Sequence, residues 1–508
     1  MNNREKKEPT RQMLDGHHLS GIFQVGDNGD VHGEMTLEGG STLLNLTSLQ
    51  PFDLVRGGPL TGTLHDLTKI SVLNCVVKTS HGTHSNRKAV RHMGSVFPHF
   101  VVLGTEHLTD VSSIEEVRFV IDEASTLFYD FDAIGSVLNA NSYIRRIANA
   151  NFDVTRRKVR TGSDAQILYF SGKSTIFSAK TVLGTVSASH NVSHQLPDPK
   201  GIALHNIIKV GINPGRAIAF HEALERVHVV LRFLELVVGR PQNVIDLELD
   251  IVGADGVATL KVYWCWAPKR SEIGEGRRSH PGDSLISPAF EPRAFGRVMR
   301  RWLLRQRERQ ISRVRFSQSF ANQRYFSVDR LVGAANMFDL LPKSALSVSS
   351  RLGRGVKSAR KVADDAFRAI PAGAQRNGIL DALARLGKPS LRAKIESRAR
   401  IIQKRIPDVF PELELVIREA VSCRNFFVHG TPPRIDYVAE FDHTHFFTDV
   451  LEFIFAASEL VEAGWDIEKW EKQGSSGSHP FGDLRVHYRL WLNELKKDLA
   501  SAKPAKKK

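Results

Sequence analysis

Residues 411–433 read PELELVIREAVSCRNFFVHGTPP, and this stretch decides the fold of the C-terminal part of the chain. Apolar residues recur at helical spacing from Leu413 to Val421, so the stretch predicts a helix that buries one side in a bundle. Gly430 suits the left-handed conformation that ends many helices, and the two prolines that follow prevent continuation. The last turns of this helix carry three polar side chains, Arg424, Asn425 and His429.

These three side chains form an unusual chemical set for the end of an apolar helix. Arginine is a permanent cation that suits a phosphate, and histidine can transfer protons near neutral pH. Together they point to RNA cleavage in which the ribose 2′-OH attacks the adjacent phosphate. His429 would move the proton, Arg424 would stabilise the transition state, and Asn425 could orient His429, contact the phosphate or cap the helix. DNA lacks the 2′-OH, so the mechanism predicts RNA specificity.

The spacing of the motif raises the question whether the side chains of Arg424 and His429 can meet at one phosphate. Residues five apart on a straight helix differ by about 140° in direction and about 7.5 Å in rise. Arg424 and His429 therefore need a relaxed helix end or a second chain to meet, and we expect a composite site at a dimer interface. The non-catalytic interpretation is that His429 only interacts with the helix dipole and that Arg424 pairs with a glutamate nearby. The helix-end context, the following apolar helix and the basic composition favour catalysis.

The charge of the chain is high and uneven. The net charge is +15 and the pI is near 9.7, which indicates an acidic polymer as partner, most simply nucleic acid. Between Glu291 and Arg405 there are 27 Lys and Arg residues against 8 Asp and Glu. We therefore expect this region to face RNA, and the charge argues against a purely structural interaction protein.

Composition also indicates the compartment. No apolar run approaches the ~20 residues that span a bilayer, so no membrane partner is expected. Three widely spaced cysteines argue for a reducing, cytoplasmic setting. Cys423 precedes Arg424, but we interpret it as a buried apolar side chain rather than a nucleophile. Residues 1–18 are expected to be a disordered leader without a secretory signal, and residues 501–508 a basic tail.

The pattern of elements divides the rest of the chain. Short alternating runs broken by turn residues predict a β-rich, sandwich-like domain over 19–140 and a second mixed β/α segment over 141–270. A Gly-, Ser- and Arg-rich linker over 271–290 leads to a helical domain over 291–500. Within it, Arg293 to Gln310 predicts one basic helix, and Arg351 to Arg368 an amphipathic or partly disordered connector. The fold class is therefore α+β, with β-rich modules followed by an all-α bundle.

Histidines elsewhere give weaker signals. Four of them lie close together in the first β-rich domain, at His81, His84, His92 and His99. Their spacing matches no familiar zinc pattern, so we expect no metal or other cofactor, although metal binding there stays open. His443 and His445 follow the motif, and we place them on a solvated helix face rather than in the cleft.

At this point the residues resemble a known family. The run from Phe326 to about Gly464 looks like a HEPN domain, expected over about 323–465, because Arg424 to His429 matches its Arg-x4–6-His motif in the Arg-Asn-x3-His form. The N-terminal half is similar to ApeA-type anti-phage proteins. The resemblance implies a bundle of four to five helices that dimerises through the motif helices. It also implies metal-independent endoribonuclease activity in abortive infection, with Arg424, Asn425 and His429 in the motif roles.

Two functions follow from these observations. The first is an endoribonuclease that the β-rich modules hold inactive until a phage-derived trigger appears. Its substrate would be RNA, and tRNA is one candidate. The alternative is a catalytically silent HEPN module that binds nucleic acid or an antitoxin partner. The alternative predicts salt-dependent RNA binding without a cyclic-phosphate product.

Overall fold

The computed structural model describes residues 12–25, 29–54, 58–85, 90–110, 112–152, 156, 160–194, 201, 203–253, 256–266, 279–322, 325–347 and 352–502. The expected leader and basic tail lie largely outside these residues, as does the first part of the expected linker, 271–278. The chain forms two compact units, Met1–Leu304 and Arg305–Lys508. Among the described residues, none of the helices combines the length and apolar character that a membrane span requires.

The N-terminal unit is built mainly from strands. In chain order these are β1 (His18–Gln24), β2 (Asp30–Thr36), β3 (Leu44–Ser48), β4 (Leu60–Leu64), β5 (Lys69–Leu73), β6 (Val76–Ser85), β7 (Val90–Phe97), β8 (Phe100–Gly104), β9 (Ile114–Ile121), β10 (Ile134–Val137), β11 (Ile167–Phe170), β12 (Thr175–Thr181), β13 (Gly184–His194), β14 (Leu204–Asn213), β15 (Val244–Gly253) and β16 (Gly256–Trp264). Its helices are α1 (Ala124–Leu127), α2 (Asn141–Ala150), α3 (Phe220–Val238) and α4 (Pro292–Leu304).

Fourteen of these strands form one antiparallel sheet in the order β12-β13-β14-β9-β15-β16-β8-β5-β4-β1-β2-β3-β7-β6, and β10 pairs with β11 separately. The sheet runs across the boundary expected between residues 140 and 141. Phe119 of β9 lies opposite Val210 of β14 on one side and Leu247 of β15 on the other. The two segments predicted from the sequence therefore share one sheet.

The strands follow the alternation that the sequence predicts. In β2, Val31, Gly33 and Met35 point to the buried side while the residues between them are more exposed. Buried side chains of β1 to β5, β7 and β8 join Tyr263 of β16 in one hydrophobic core. This burial of alternate residues on one face is what fixes the register of the sheet.

A chain of aromatic rings holds α4 in the N-terminal unit. The ring of Phe295 lies 4.8 Å from that of Phe177 in β12 and 5.6 Å from that of Phe233 in α3. The prediction of one basic helix from Arg293 to Gln310 is therefore wrong, since the helix ends at Leu304 and a second begins at Gln306. The two belong to different units.

The C-terminal unit is helical. Its helices are α5 (Gln306–Phe320), α6 (Val328–Asp339), α7 (Arg354–Arg368), α8 (Ala374–Arg385), α9 (Leu391–Gln403), α10 (Leu413–His429), α11 (Phe441–Ala463), α12 (Ile467–Lys472) and α13 (Pro480–Ser501). Helix α11 is buried on nearly all sides, as expected for the central helix of a bundle. The predicted α+β class, a β-rich part followed by a helical part, is confirmed.

Part of the basic region is inside this bundle. Glu459 of α11 accepts hydrogen bonds from three buried arginines, and Glu452 accepts them from a fourth. The four are Arg309, Arg313, Arg330 and Arg398. Buried charges need such paired, hydrogen-bonded partners. These guanidinium groups are neutralised in the core and cannot face RNA, which corrects the expectation that the whole basic region does.

Candidate active site

Helix α10 ends where the sequence predicts. Gly430 takes the left-handed conformation with φ of 64°, and its N–H donates to the carbonyl of Phe426 at 2.9 Å. A β-carbon is disfavoured at this φ, so glycine is the residue that ends the helix without strain. His429 is thereby the last helical residue, and it is exposed together with residues 430–434.

Arg424 and His429 meet within one chain. Nη1 of Arg424 lies 3.0 Å from Nε2 of His429, and it also donates to Oδ1 of Asn425 at 3.0 Å. The expectation that the two residues could converge only at a relaxed helix end or across a dimer is corrected. It compared the directions of side chains on a straight helix, whereas a long arginine side chain reaches the ring of the last helical residue.

A further residue, which the sequence reasoning missed, holds the other side of the guanidinium. Nη2 of Arg424 donates to Oδ1 of Asn336 on α6 at 3.3 Å. Asn336 is half-buried beside Ala335 and Met337, which are fully buried. Asparagine is unfavourable inside a helix because its side chain competes for backbone hydrogen bonds. The presence of an asparagine within the apolar run of α6 was therefore the feature of the sequence that could have indicated a functional residue there.

The charge of Arg424 has no carboxylate partner among the described residues. Its hydrogen-bond partners are the amide oxygens of Asn425 and Asn336 and the imidazole of His429, and none of these groups carries a negative charge. The buried Glu419 on the same helix instead receives hydrogen bonds from Arg418 at 3.0 Å and Arg434 at 3.1 Å. The interpretation that Arg424 pairs with a neighbouring glutamate is therefore wrong. An oriented, uncompensated guanidinium is suited to an anion such as phosphate.

Cys423 is structural, as predicted. Its side chain is fully buried, and its Sγ lies 3.8 Å from Oγ1 of Thr444. Burial raises the pKa of the thiol to about 12. Because the thiolate is the nucleophilic form, this sulfur is inert near neutral pH.

The histidines after the motif do not lie on a solvated face, contrary to the prediction. His443 is buried, and its Nε2 lies 2.7 Å from Oδ2 of Asp498. The ring of His445 is half-buried and stacks on Phe326 with centroids 3.6 Å apart. Burial lowers the pKa of His445. The prediction of a solvated face was wrong because α11 is the central helix of the bundle and has little solvated surface.

Potential metal ligands gather at one place in the described part of the chain. Glu440, His443 and Asp498 bring one ligand atom each to within 4.8 Å of one another. Within this group, Nε2 of the buried His443 already lies at hydrogen-bond distance, 2.7 Å, from Oδ2 of Asp498. A second candidate from the sequence is the histidine cluster of the N-terminal unit, His81, His84, His92 and His99. There, the ring of His81 lies 5.4 Å from that of His92, and His99 packs on Trp266.

Comparison with protein families connects this geometry to known proteins. Residues 18–302 match the family model described as ApeA N-terminal domain 1, and residues 332–469 match Apea-like HEPN. The second match contains the Arg424–His429 motif and Asn336. No curated protein and no solved structure matches the chain.

These matches confirm the resemblance seen in the sequence. HEPN domains are generally ribonucleases, which supports a nuclease, and the family suggests a nuclease-like role against phage. The first match alone covers more than half of the 508 residues. The chain therefore belongs to the ApeA family, with an ApeA N-terminal domain followed by an Apea-like HEPN domain.

Proposed function

We propose that this protein is a metal-independent endoribonuclease of abortive anti-phage defence, which cleaves RNA at the site formed by Arg424, Asn425 and His429. One observation carries the proposal. Arg424 holds Nε2 of His429 while no carboxylate among the described residues neutralises its own charge. The arrangement supplies a fixed cation and a proton acceptor at an exposed helix end, which are the two components that transesterification needs.

The contact between Arg424 and His429 suits a ring that acts as a base. Arginine can only donate, so Nε2 of His429 is the acceptor in this contact, which is the role of an imidazole with its hydrogen on Nδ1. A neutral imidazole can take the proton of the 2′-OH as the bond from the 2′-oxygen to phosphorus forms. The entering phosphate would replace His429 as a partner of the guanidinium. The bond from phosphorus to the 5′-oxygen then breaks, which leaves a 2′,3′-cyclic phosphate and a 5′-OH.

The leaving 5′-oxygen also needs a proton. We propose a homodimer through the motif helices for this reason, because a second copy would bring a second His429, which in its protonated form would act as the acid. The dimer is not needed to bring Arg424 and His429 together, since these two residues meet within one chain. Proton balance supports it instead: one imidazole accepts a proton while the other donates one, and each turnover leaves the two exchanged.

We further propose that the N-terminal unit regulates this site in response to a phage-derived trigger. The residues of the Arg424 arrangement all lie in the C-terminal unit. The N-terminal unit, residues 1–304 of 508, contributes none of them. A division of this kind, with the chemistry in one unit, supports a sensory role for the other.

The test is cleavage of total RNA by the purified full-length protein in the presence of EDTA, followed by analysis of the fragment ends. We expect 2′,3′-cyclic phosphate and 5′-OH ends, and their loss in His429→Ala. The matched control is His221→Ala, at an exposed position on α3, which should cleave normally. Undiminished cleavage by His429→Ala would overturn the proposal. Wild-type protein that binds RNA but leaves it intact, with or without a candidate trigger, would favour the catalytically silent module.

A further inference from the structure

Helices α7 and α8 form a hairpin, residues 352–388, that contributes nothing to the core of the C-terminal unit. The structure describes every residue of this range, and none of them is buried. The helices before and after it, α6 and α9, each bury several residues. A segment of this length without a buried side chain is not maintained by packing in the bundle. Its surfaces are therefore available to something outside the chain.

Two arginines join the helices of the hairpin to each other. Arg360 of α7 donates to the carbonyl of Leu386 just past the end of α8, at 3.1 Å. Arg376 of α8 donates to the carbonyls of Phe367 and Arg368 at the end of α7, at 3.0 and 3.2 Å. Each arginine thus donates to carbonyls at the C-terminal end of the other helix, where a positive charge is also favourable. The hairpin has a defined shape without a core of its own.

One face of α7 carries a stripe of unpaired positive charge. Arg354, Lys357 and Lys361 are all exposed, and within the described residues none of them contacts a carboxylate. Spacings of three and four place them on the same side of the helix, over about 10 Å of its length. We call these three residues the basic stripe. The whole hairpin has eight Lys and Arg residues against three Asp residues.

We propose that the basic stripe binds the phosphate backbone of RNA, so that the hairpin serves as an RNA-binding arm. The inference rests on the proposed function, because it names the surface that holds the same substrate. Charge complementarity supports it, since the buried arginines of the bundle are neutralised by Glu452 and Glu459 whereas the stripe is not. A membrane surface is less suitable as occupant. The exposed large apolar residues of α7 are Val356 and Val362, whereas interfacial helices present Trp, Phe and Leu.

The experiment measures binding separately from cleavage. The full-length His429→Ala protein is titrated against a fluorescently labelled single-stranded RNA at several salt concentrations. The test variant adds Arg354→Gln, Lys357→Gln and Lys361→Gln, which remove the charge and retain good helix formers. The matched control adds Lys404→Gln, Lys472→Gln and Lys497→Gln at three exposed lysines of the same unit outside the hairpin. Circular dichroism verifies that both variants fold.

The expected result follows from counterion release. Loss of three phosphate contacts should lower the slope of log K against log salt by about 2 and weaken binding about 100-fold at 0.1 M salt. The control should bind like its parent. An unchanged slope in the test variant would overturn the arm, whether or not the wild-type protein cleaves RNA. Stripe-dependent binding without wild-type cleavage would instead leave the arm standing and remove the proposed function.

Two further measurements separate other occupants. The parent and the test variant are mixed with vesicles that contain phosphatidylserine, and their oligomeric states are compared by light scattering. The proposal expects no difference between the two proteins in either measurement. Stripe-dependent binding to vesicles but not to RNA would assign the hairpin to a membrane surface. Dissociation of a dimer in the test variant, with RNA binding unchanged, would assign it to a second copy of this chain.

Discussion

Nη1 of Arg424 donates to Nε2 of His429 across 3.0 Å, and the same nitrogen donates to Oδ1 of Asn425. The guanidinium therefore positions the proposed base in addition to carrying charge. Arg424→Lys keeps the charge but replaces the planar fork with a single ammonium group, which cannot keep these contacts and the one to Asn336. We expect the rate of RNA cleavage to fall about 100-fold, the usual effect of losing one oriented donor.

The measurement is single-turnover cleavage of a labelled RNA at saturating enzyme, which separates chemistry from binding. Arg307→Lys, at an exposed position of α5, is the control and should match the wild type. If Arg424→Lys cleaves at the wild-type rate, only the charge of Arg424 matters and its orientation of His429 does not.

Asn336 provides a test of the charge at the site. Asn336→Ala removes the acceptor for Nη2 of Arg424 and should slow cleavage about tenfold, in line with the loss of one hydrogen bond to a charged group. Asn336→Asp should be slower still, because the new carboxylate would pair with Arg424 and compete with the phosphate. Single-turnover rates and RNA affinity of the two variants are compared, with Asn493→Asp on the exposed face of α13 as the control. Faster cleavage by the Asp variant than by the Ala variant would contradict this role.

The sequence predicted those parts of the site that depend on local backbone preference. Gly430 and the two prolines after it determine the end of α10, and so the position of His429. Asn336 could not be found in the same way, since it lies 88 residues from Arg424 and meets it only through the crossing of α6 and α10. The expectation about whether Arg424 and His429 can meet was wrong for a different reason. The direction of a residue on an ideal helix gives the position of its β-carbon, and not the position of the far end of a long side chain.

The fold shows the same division between local and long-range information. Alternating residues predicted the strands, yet pairing of β8 with β16, which aligns Leu103 with Lys261, joins regions far apart in the sequence. Nothing in the local pattern of either strand specifies this partner. The count of basic residues had a similar limit, because it could not distinguish Arg398, fully buried against Glu459, from Arg400, exposed on the same helix.

Cys423 should be dispensable for the reaction. Burial raises the pKa of its thiol to about 12, so hardly any thiolate forms at pH 8. We expect Cys423→Ala to cleave RNA within about twofold of the wild type, since no step of the mechanism uses the sulfur. Iodoacetamide at pH 8 should leave Cys423 unmodified in the folded protein and modify it in urea, as read by mass spectrometry. Labelling of Cys423 in the folded protein at the rate seen in urea would show that the thiol is accessible.

His445 should make the C-terminal unit sensitive to acid. Burial, reinforced by the charge of Arg330 and opposed by Asp442, lowers the pKa of His445 below 6.5. The unfolded chain then binds more protons than the folded chain as the pH falls below about 6.5, so the stability contributed by the neutral ring is lost on acidification. His445→Phe keeps a ring to stack on Phe326 and cannot be protonated.

We therefore expect the free energy of unfolding to decrease less in His445→Phe than in the wild type between pH 7.5 and pH 5.5. Urea denaturation at both pH values, followed by tryptophan fluorescence, measures the difference. An equal decrease in the two proteins would show that His445 keeps its ordinary pKa in the folded chain.

Arg398 tests whether the core of the bundle depends on its ion pairs. The side chain is fully buried and donates to Ser458 at 2.9 Å, to the carbonyl of Ala345 at 3.0 Å and to Glu459 at 3.3 Å. Arg398→Met leaves these buried acceptors short of a donor. Breaking a buried ion pair from one side costs about 3–5 kcal/mol, and the two other arginines on Glu459 place the expected loss near about 3 kcal/mol.

The control for this change lies two residues away on the same helix. Arg400 is exposed, so Arg400→Met should alter the free energy of unfolding by no more than about 0.5 kcal/mol. Urea denaturation of the full-length variants measures both values. Similar small losses in the two variants would mean that Glu459 is satisfied by Arg309 and Arg313 alone. A large loss confined to Arg398→Met would show that part of the basic region is retained for folding.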